Sequence, residues 1–256
     1  MKVTSDKING VLGILGGMGP MATVDFVKKI IEQTPAECDQ DHIPLVIYSV
    51  PQIPDRSQCI AEANDAPLEW LVTGVNILRD SGAQSIAIPC NTAHFWYTPL
   101  QKHCDIPILH IVDAAANALV SRGICSGRIG LLATTGTIKA NIYQERLSKL
   151  GYSCILPSPR LQKEAVMTGI AEVKAGNYGI AQHLLEKAAK YLVTSGCEII
   201  MLGCTEIPIV LKGNAYLDAT EALARAAVTS HLQSKGKTRL PVNSNTYPSK
   251  PKVRLD

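Results

Sequence analysis

The chain has 256 residues, of which 46% are hydrophobic and 18% are charged, and its formal net charge is +3. This composition is typical of a soluble globular protein with a well-buried core. Lys and Arg are spread out except in the last twenty residues, so the small net charge indicates no basic groove for nucleic acid. No apolar stretch is long enough to predict a membrane span. The eight cysteines and the lack of an export signal predict reduced thiols and a cytoplasmic protein.

Short apolar runs alternate with helix-like segments along most of the chain. Strands are predicted at Val11–Leu15, Pro44–Val50, Ser85–Ile88, Ile106–Ile111, Arg128–Ala133, Ser153–Leu156, Ile199–Leu202 and Tyr216–Leu217. Helices are predicted to begin near Met21, Asn64, Asn91, Ala114, Ile138, Gln162, Asn177 and Ala219. This alternation predicts an α/β protein with parallel sheets and crossover helices.

Two sequence patterns occur twice in the chain. "VLGILGGMG" resembles "RIGLLATTG", and their glycines Gly13 and Gly130 are 117 residues apart. "SGAQSIAIPCNT" resembles "SGCEIIMLGCTE", and their cysteines Cys90 and Cys204 are 114 residues apart. These nearly equal offsets predict two similar, pseudo-symmetric lobes, each a mostly parallel sheet flanked by helices.

The repeat also suggests where the lobes begin and end. The first lobe is predicted to comprise residues 1–112 and 213–235, and the second lobe residues 113–212. Residues 236–256 are rich in Pro, Ser, Asn and Lys and show little periodicity, which is typical of a flexible tail.

A glycine-rich loop follows the first predicted strand. Gly17, Gly19 and Ala22 match the dinucleotide-binding pattern G-x-G-x-x-A in its expected place, after a strand and before a helix. That pattern also requires an acidic residue at the end of the next strand, and "IYSVPQIP" has none. We therefore predict no dinucleotide cofactor, and a loop that approaches a smaller anion such as a carboxylate.

Cys90 and Cys204 differ from the other cysteines because each follows a predicted strand and precedes a predicted helix start. Open α/β sheets bind ligands at the carboxyl ends of their strands. Two related lobes can face each other there and present the two thiols to opposite sides of one ligand. Such a pair suits the removal of a proton from one face of a carbon and its return to the other. Cys90 and His94 match no zinc-site spacing, so we predict no metal.

Five motifs together resemble the aspartate/glutamate racemase family, most of all its aspartate racemase branch: "GILGGMGPMATVDF", "PCNTAH", "LLATTGT", "VKAGN" and "GCTEIP". The resemblance runs from about Gly10 to about His231. It implies cofactor-independent racemisation of an acidic amino acid by two cysteines in the cleft between two α/β lobes. It also implies a homodimer.

The resemblance assigns roles to ten residues. Cys90 and Cys204 match the two acid–base groups. The residues matching the substrate's surroundings are Met18, Gln52, Arg56, Asn91, Thr92, Lys174, Thr205 and Glu206. Glutamate racemases instead open with Asp-Ser-Gly and close with Gly-Cys-Thr-His, so this chain departs from them at both ends of the site.

Other assignments remain open at this point. A decarboxylase or cis–trans isomerase of the same fold typically uses a single essential cysteine, and a non-catalytic dicarboxylate-binding protein needs none. The twin cysteines argue against both. Glu206 has two interpretations, a cap for the following helix or a group that tunes Cys204 and the substrate amine. His94 and His110 are interpreted as buried packing or capping side chains.

Overall fold

A computed structural model describes residues 10–234, and within them eight strands form two four-stranded parallel sheets. The first sheet contains β1 (Leu12–Gly16), β2 (Leu45–Ser49), β3 (Ser85–Ala87) and β4 (Ile108–Leu109). The second contains β5 (Gly127–Ala133), β6 (Tyr152–Ile155), β7 (Ile199–Gly203) and β8 (Tyr216–Asp218). The strand orders are β2-β1-β3-β4 and β6-β5-β7-β8. The predicted α/β fold with two similar lobes is confirmed.

Helices cover the sheets and connect their strands. The α-helices are α1 (Pro20–Gln33), α2 (Arg56–Ala61), α3 (Ala66–Asp80), α4 (Tyr97–His103), α5 (Ile111–Ser121), α6 (Thr135–Lys139), α7 (Ile142–Ser148), α8 (Pro159–Leu161), α9 (Thr168–Lys174), α10 (Tyr178–Thr194), α11 (Ile207–Val210) and α12 (Ala219–Ser234). Short 3-10 helices occupy Asp39–Asp41 and Thr92–Trp96, and a π-helix occupies Gln162–Met167. Within residues 10–234, none of the helices combines the length and the apolar character that a membrane span requires.

The two sheets place the repeated motifs at equivalent positions. Gly13 in β1 pairs with Ile86 of β3, and Gly130 in β5 pairs with Ile200 of β7. The strands β3 and β7 therefore occupy the same place in their sheets, next to the central strand. Each is followed by one of the repeated cysteines, so both thiols lie at the carboxyl end of an equivalent strand.

A hydrophobic core shared by the two lobes lies between them, beside one further buried cluster within each lobe. A single cluster of buried side chains includes Ile14 and Ile111 from the first sheet's side and Leu131 and Met201 from the second sheet. Helix α12 packs against both α1 and α5. The continuous core holds the strand ends of the two sheets in a fixed relation.

One strand of the segment predicted for the first lobe belongs to the second lobe. Residues 213–235 were assigned to the first lobe, but β8 pairs with β7, with Leu217 opposite Met201, and so belongs to the second sheet. Helix α12 begins directly after β8 and returns to α1 of the first lobe. The chain thus crosses between the lobes at β8, while the remaining lobe boundaries stay a prediction. The predicted tail, residues 236–256, lies outside the described residues.

Candidate active site

Cys90 and Cys204 meet in one cavity between the lobes. Cys90 follows β3 and precedes the 3-10 helix Thr92–Trp96, while Cys204 follows β7 and precedes α11. Both side chains are 5% exposed. The same β-strand-to-helix turn thus delivers a buried thiol from each lobe to a shared space.

The cavity has a volume of about 20 Å³, which is room for roughly one water molecule. Its lining residues are Met18, Asp55, Arg56, Ser57, Cys90, Asn91, Thr92, Thr134, Lys174, Cys204, Thr205 and Glu206. The structure therefore brings together every predicted site residue except Gln52. Gln52 lies in an exposed turn, between Pro51 and Ile53, which line a neighbouring cavity.

That neighbouring cavity measures about 460 Å³ and opens to the outside of the cleft. Asp55, Arg56, Lys174 and Glu206 line both cavities, so they form the partition between them. A volume of this size is typical of small-molecule sites. An organic ligand reaching the two thiols has to pass this partition and widen the inner cavity.

Asn91 is held in place by the opposite lobe. The Tyr143 hydroxyl on α7 donates a 2.5 Å hydrogen bond to Asn91 Oδ1, and both side chains are buried. Asn91 Nδ2 is also buried and has no hydrogen-bond partner within residues 10–234. Because an unpaired buried amide is costly, this N–H group is available to a ligand oxygen in the cavity.

Three threonine hydroxyls form a second link between the lobes. Thr92 Oγ1 lies 2.9 Å from Thr134 Oγ1 and 3.0 Å from Thr137 Oγ1, and the last two are 3.0 Å apart. Each hydroxyl can donate one hydrogen bond and accept another, so the triangle can satisfy itself. Thr92 and Thr134 also line the cavity, which ties its wall to both lobes.

Cys204 shares a buried carboxylate with its neighbour Thr205. The Cys204 thiol donates to Glu206 Oε2 at 3.0 Å, and the Thr205 hydroxyl donates to the same oxygen at 3.2 Å. Burial, followed by the charge of Glu206, raises the pKa of Cys204 well above its ordinary value, and Lys174 opposes the shift. Glu206 makes no capping hydrogen bond to α11, so the interpretation as a helix cap is wrong.

Two basic side chains complete the cavity. Arg56 Nη1 donates to the carbonyl oxygens of Ile53 and Pro54 at 2.9 and 3.0 Å, which holds the guanidinium against the loop. Arg56 Nε is buried and has no hydrogen-bond partner in the described part of the chain. Lys174 is exposed at the end of α9. The site therefore offers two cations and unused N–H groups to an anionic ligand.

The glycine-rich loop has a structural reason for its glycines. Gly17 has φ +92°, and a Cβ there would lie 2.3 Å from the Val50 backbone nitrogen. The Gly17 N–H group donates to Thr23 Oγ1 at 2.9 Å. This N–H group is therefore satisfied by a side chain of α1, and the approach of the loop's other N–H groups to an anion stays a prediction. Met18, which is buried, is the part of the loop that reaches the inner cavity.

The two histidines near Cys90 are structural, as predicted. His94 Nδ1 lies 2.9 Å from the Cys90 carbonyl oxygen, and His94 Nε2 accepts from the Ile111 N–H group at 3.2 Å. These partners require a neutral ring that donates from Nδ1, and burial lowers the pKa of His94 to about 4. His110 caps α5 by accepting from the Val112 N–H group at 3.1 Å, and burial lowers its pKa to about 2.

Sequence reasoning did not identify Asp55, Ser57, Thr134 and Tyr143. Asp55 and Ser57 flank the predicted site residue Arg56, and Thr134 lies within the motif "LLATTGT", so three of them are beside or inside features that the sequence indicated. Tyr143 lies outside every motif and reaches the site only through Asn91. Residues 10–234 contain no group of three His, Cys, Asp or Glu side chains that could hold a metal ion.

Comparisons with known proteins agree with this geometry. Residues 15–227 match the family model described as Asp/Glu/Hydantoin racemase. The chain is 29% identical to the broad specificity amino-acid racemase RacX of Bacillus subtilis over 87% of this chain and 98% of that protein. The structure of Picrophilus torridus aspartate racemase matches with a TM-score of 0.77 and 30% identity over 88% of this chain and 97% of that one.

A more distant structure shows the fold alone. Glutamate racemase from Francisella tularensis matches with a TM-score of 0.64 and 17% identity over 92% of this chain and 85% of that one. The family model covers most of the chain, including both cysteine motifs, so the prediction from the sequence motifs is confirmed. The chain belongs to the Asp/Glu/hydantoin racemase family, whose racemases are isomerases.

Proposed function

We propose that the protein racemises acidic amino acids, aspartate or glutamate or both, without a cofactor. The observation that carries the proposal is the convergence of Cys90 and Cys204, from equivalent strands of two similar lobes, on one cavity. Binding alone requires no thiol on either side of a ligand. A related decarboxylase or cis–trans isomerase with one essential cysteine leaves the second buried thiol without a role.

The proposed reaction moves one proton in and one proton out. The thiolate of one cysteine removes the α-proton from one face of the substrate. The thiol of the other cysteine then gives its proton to the opposite face, and the configuration is inverted. The two cysteines end with their protonation states exchanged, and the enzyme returns to its starting form in the reverse reaction or by exchange with water.

The charges lining the cavity complement an acidic amino acid. Such a substrate carries two carboxylates and one ammonium group. The site presents two cations, Arg56 and Lys174, one buried carboxylate, Glu206, and one exposed carboxylate, Asp55, which accepts from the Gln58 N–H group in α2. Fixed opposite charges in a site that excludes water stabilise the negative charge that develops at the α-carbon. Asn91 Nδ2, which is buried and unpaired within residues 10–234, adds a donor for the α-carboxylate.

The substrate range is the least constrained part of the proposal. One relative is named a broad specificity racemase and another an aspartate racemase. The outer cavity of about 460 Å³ lies directly beyond Arg56 and Lys174. A longer side chain has space there, so the racemisation screen includes neutral and basic amino acids besides aspartate and glutamate.

The proposal also comprises a homodimer in the cytoplasm and a reaction without cofactor or metal. The glycine-rich loop lacks the acidic ribose partner of dinucleotide sites, and its Gly17 N–H group is used internally. Racemisation is expected to survive dialysis, chelators and carbonyl reagents that trap pyridoxal phosphate. Light scattering of the purified protein tests the dimer.

The decisive experiment replaces each proposed acid–base thiol separately. Cys90→Ser and Cys204→Ser keep the shape of the side chain, but a serine hydroxyl is far too weakly acidic to be the base. Each is expected to lose racemisation by about a hundredfold or more. In deuterium oxide each variant still exchanges the α-proton of one enantiomer, and the enantiomer is opposite in the two variants.

Cys104→Ser is the matched control because Cys104 is also 5% exposed but does not line the inner cavity. It is expected to racemise at the wild-type rate. Wild-type racemisation by either active-site variant contradicts the two-thiol mechanism. Exchange of the same enantiomer by both variants also contradicts it.

A further inference from the structure

The two thiols have different polar neighbours although their strands are equivalent. The residue two positions after Cys90 is Thr92, whereas the residue two positions after Cys204 is Glu206. Glu206 is only 4% exposed, and its Oε2 accepts the Cys204 thiol at 3.0 Å. The structural repeat therefore places a buried carboxylate beside one thiol and a hydroxyl beside the other.

The short distance between sulfur and carboxylate limits the charge that this pair can carry. If Cys204 were a thiolate while Glu206 was ionised, two negative charges would lie 3.0 Å apart in a buried site. Like charges this close disfavour double ionisation, so the pair retains one proton. Because a thiol is ordinarily much less acidic than a carboxyl group, the proton belongs on sulfur, as the direction of the hydrogen bond requires.

We propose that Glu206 keeps the proton on Cys204 in the substrate-free enzyme, so that Cys204 begins the reaction as the acid and Cys90 as the base. Glu206 is then a positioning residue for a proton as well as a proposed substrate contact. The roles of acid and base rest on the proposed racemisation. The position of the proton on Cys204 in the substrate-free protein does not depend on that function and can be measured separately.

The other charged groups around the cavity do not reverse this assignment. Lys174 faces Cys204 and favours its thiolate, but burial and Glu206 act more strongly in the opposite direction. Arg56 and Asp55 lie together on the partition between the two cavities and carry opposite charges. The nearby Tyr143 hydroxyl is neutral, because burial raises its pKa well above the ordinary value.

Glu206 also explains how Cys204 can become a thiolate later in the cycle. Its second oxygen, Oε1, is buried and has no hydrogen-bond partner among the residues that the structure describes. The ammonium group of a bound amino acid is a donor that can complete it. A positive charge at Oε1 offsets the repulsion, so the Cys204 thiolate becomes accessible when substrate is present and unfavourable when it is absent.

Thiol alkylation of the substrate-free protein tests the assignment. Iodoacetamide reacts with thiolates, and mass spectrometry of peptides follows Cys90 and Cys204 separately between about pH 6 and 10. The two cysteines are equally exposed, at 5% each, so alkylation of Cys90 shows whether iodoacetamide can enter the cavity in every variant. We expect the alkylation midpoint of Cys204 to lie above the ordinary value of a cysteine thiol in the wild-type protein.

Glu206→Gln removes the charge and keeps the shape. The Cys204 midpoint is expected to fall by roughly one to three pH units, while the Cys90 midpoint stays within a few tenths of a unit. Glu186→Gln removes an exposed carboxylate on α10 and is expected to change neither midpoint. A Cys204 midpoint that is unchanged or higher in Glu206→Gln overturns the proposal.

A second variant keeps the test valid if Glu206→Gln does not fold. Thr205→Val removes the other donor to Glu206 Oε2, which leaves the carboxylate a stronger acceptor for the Cys204 proton. The Cys204 midpoint is then expected to rise, and a midpoint that fails to rise overturns the proposal. Racemisation is measured on the wild-type protein, because Glu206 and Thr205 are themselves proposed substrate contacts, so the two proposals fail separately. A midpoint shift in the variants with no racemisation by the wild-type protein refutes only the function, and racemisation by the wild-type protein without a midpoint shift in the variants refutes only the proton position.

Discussion

Tyr143 connects the two lobes directly beside a proposed acid–base thiol. Its hydroxyl on α7 donates to Asn91 Oδ1 at 2.5 Å, and Asn91 follows Cys90 in the chain. The tyrosine is 0% exposed, so no water can replace the lost partner from the surface. Tyr143→Phe therefore removes one oxygen atom without opening a cavity, and leaves a buried amide oxygen unpaired.

The expected loss of stability is about 1–3 kcal/mol, because a buried acceptor left without its donor retains its full desolvation penalty. Tyr152→Phe is the matched control: Tyr152 is 3% exposed and its hydroxyl donates to the Ile124 carbonyl oxygen at 2.7 Å, away from the cavity. Both variants are therefore expected to lose similar stability, measured by urea unfolding.

Only Tyr143→Phe is expected to lose activity. Without its anchor, the Asn91 amide can rotate away from the proposed position of the substrate carboxylate, and a loss of about 1.4 kcal/mol in transition-state binding lowers kcat/KM tenfold. A polarimetric assay with aspartate and glutamate measures kcat/KM of each variant and of the wild-type protein. If Tyr143→Phe and Tyr152→Phe have equal kcat/KM, the hydrogen bond across the lobes has no role in orienting Asn91.

Two further predictions concern the packing and protonation of the same region. A Cβ at Gly136 on α6 would lie 2.6 Å from Ser57 Cα on α2, so Gly136→Ala is expected to push the lobes apart and lower kcat/KM about tenfold or more. A Cβ at Gly179 on α10 would have no neighbouring atom within 4 Å, so the control variant Gly179→Ala is expected to keep full activity. Because burial lowers the pKa of His94 from 6.5 to about 4, the neutral ring contributes about 3 kcal/mol of stability that is complete above pH 6.5 and lost as the pH falls toward 4. Urea unfolding measured across this pH range checks the prediction. His94→Asn can still donate to the Cys90 carbonyl oxygen but does not titrate, so its unfolding free energy is expected to fall less between pH 6.5 and pH 4. An equal fall in the variant and the wild-type protein contradicts the assignment of this pH dependence to His94.

The parts of the fold that follow from local patterns were predictable. The period of the apolar residues and the strand-to-turn motifs identify the central strands β1, β3, β5 and β7, because buried parallel strands are nearly continuous apolar runs. The two cysteine motifs then lie at equivalent strand ends as a consequence of the parallel order. Cys90 and Cys204 could therefore be paired from the sequence before any contact between them was known.

The features that depend on packing between distant segments were not predictable. The edge strand β8 has three residues, too few for a periodic pattern to show which sheet it joins. The link between Tyr143 and Asn91 joins side chains 52 positions apart in different lobes. Gln52 lies next to Pro51 and Ile53 of the outer cavity, but the direction of its side chain depends on a turn that no local pattern specifies.

Cys204 has a carboxylate beside it and Cys90 a hydroxyl, but thermodynamics limits how far this difference can affect the reaction. Two enantiomers have equal free energy, so the equilibrium constant of racemisation is one and kcat/KM is the same in both directions. A proton held on Cys204 by Glu206 therefore cannot make the enzyme accumulate one enantiomer. It can only make kcat and KM differ between the enantiomers by the same factor. A low KM for one enantiomer is thus matched by an equally lowered kcat, and a fold with two similar lobes can carry different groups beside its thiols without favouring either product.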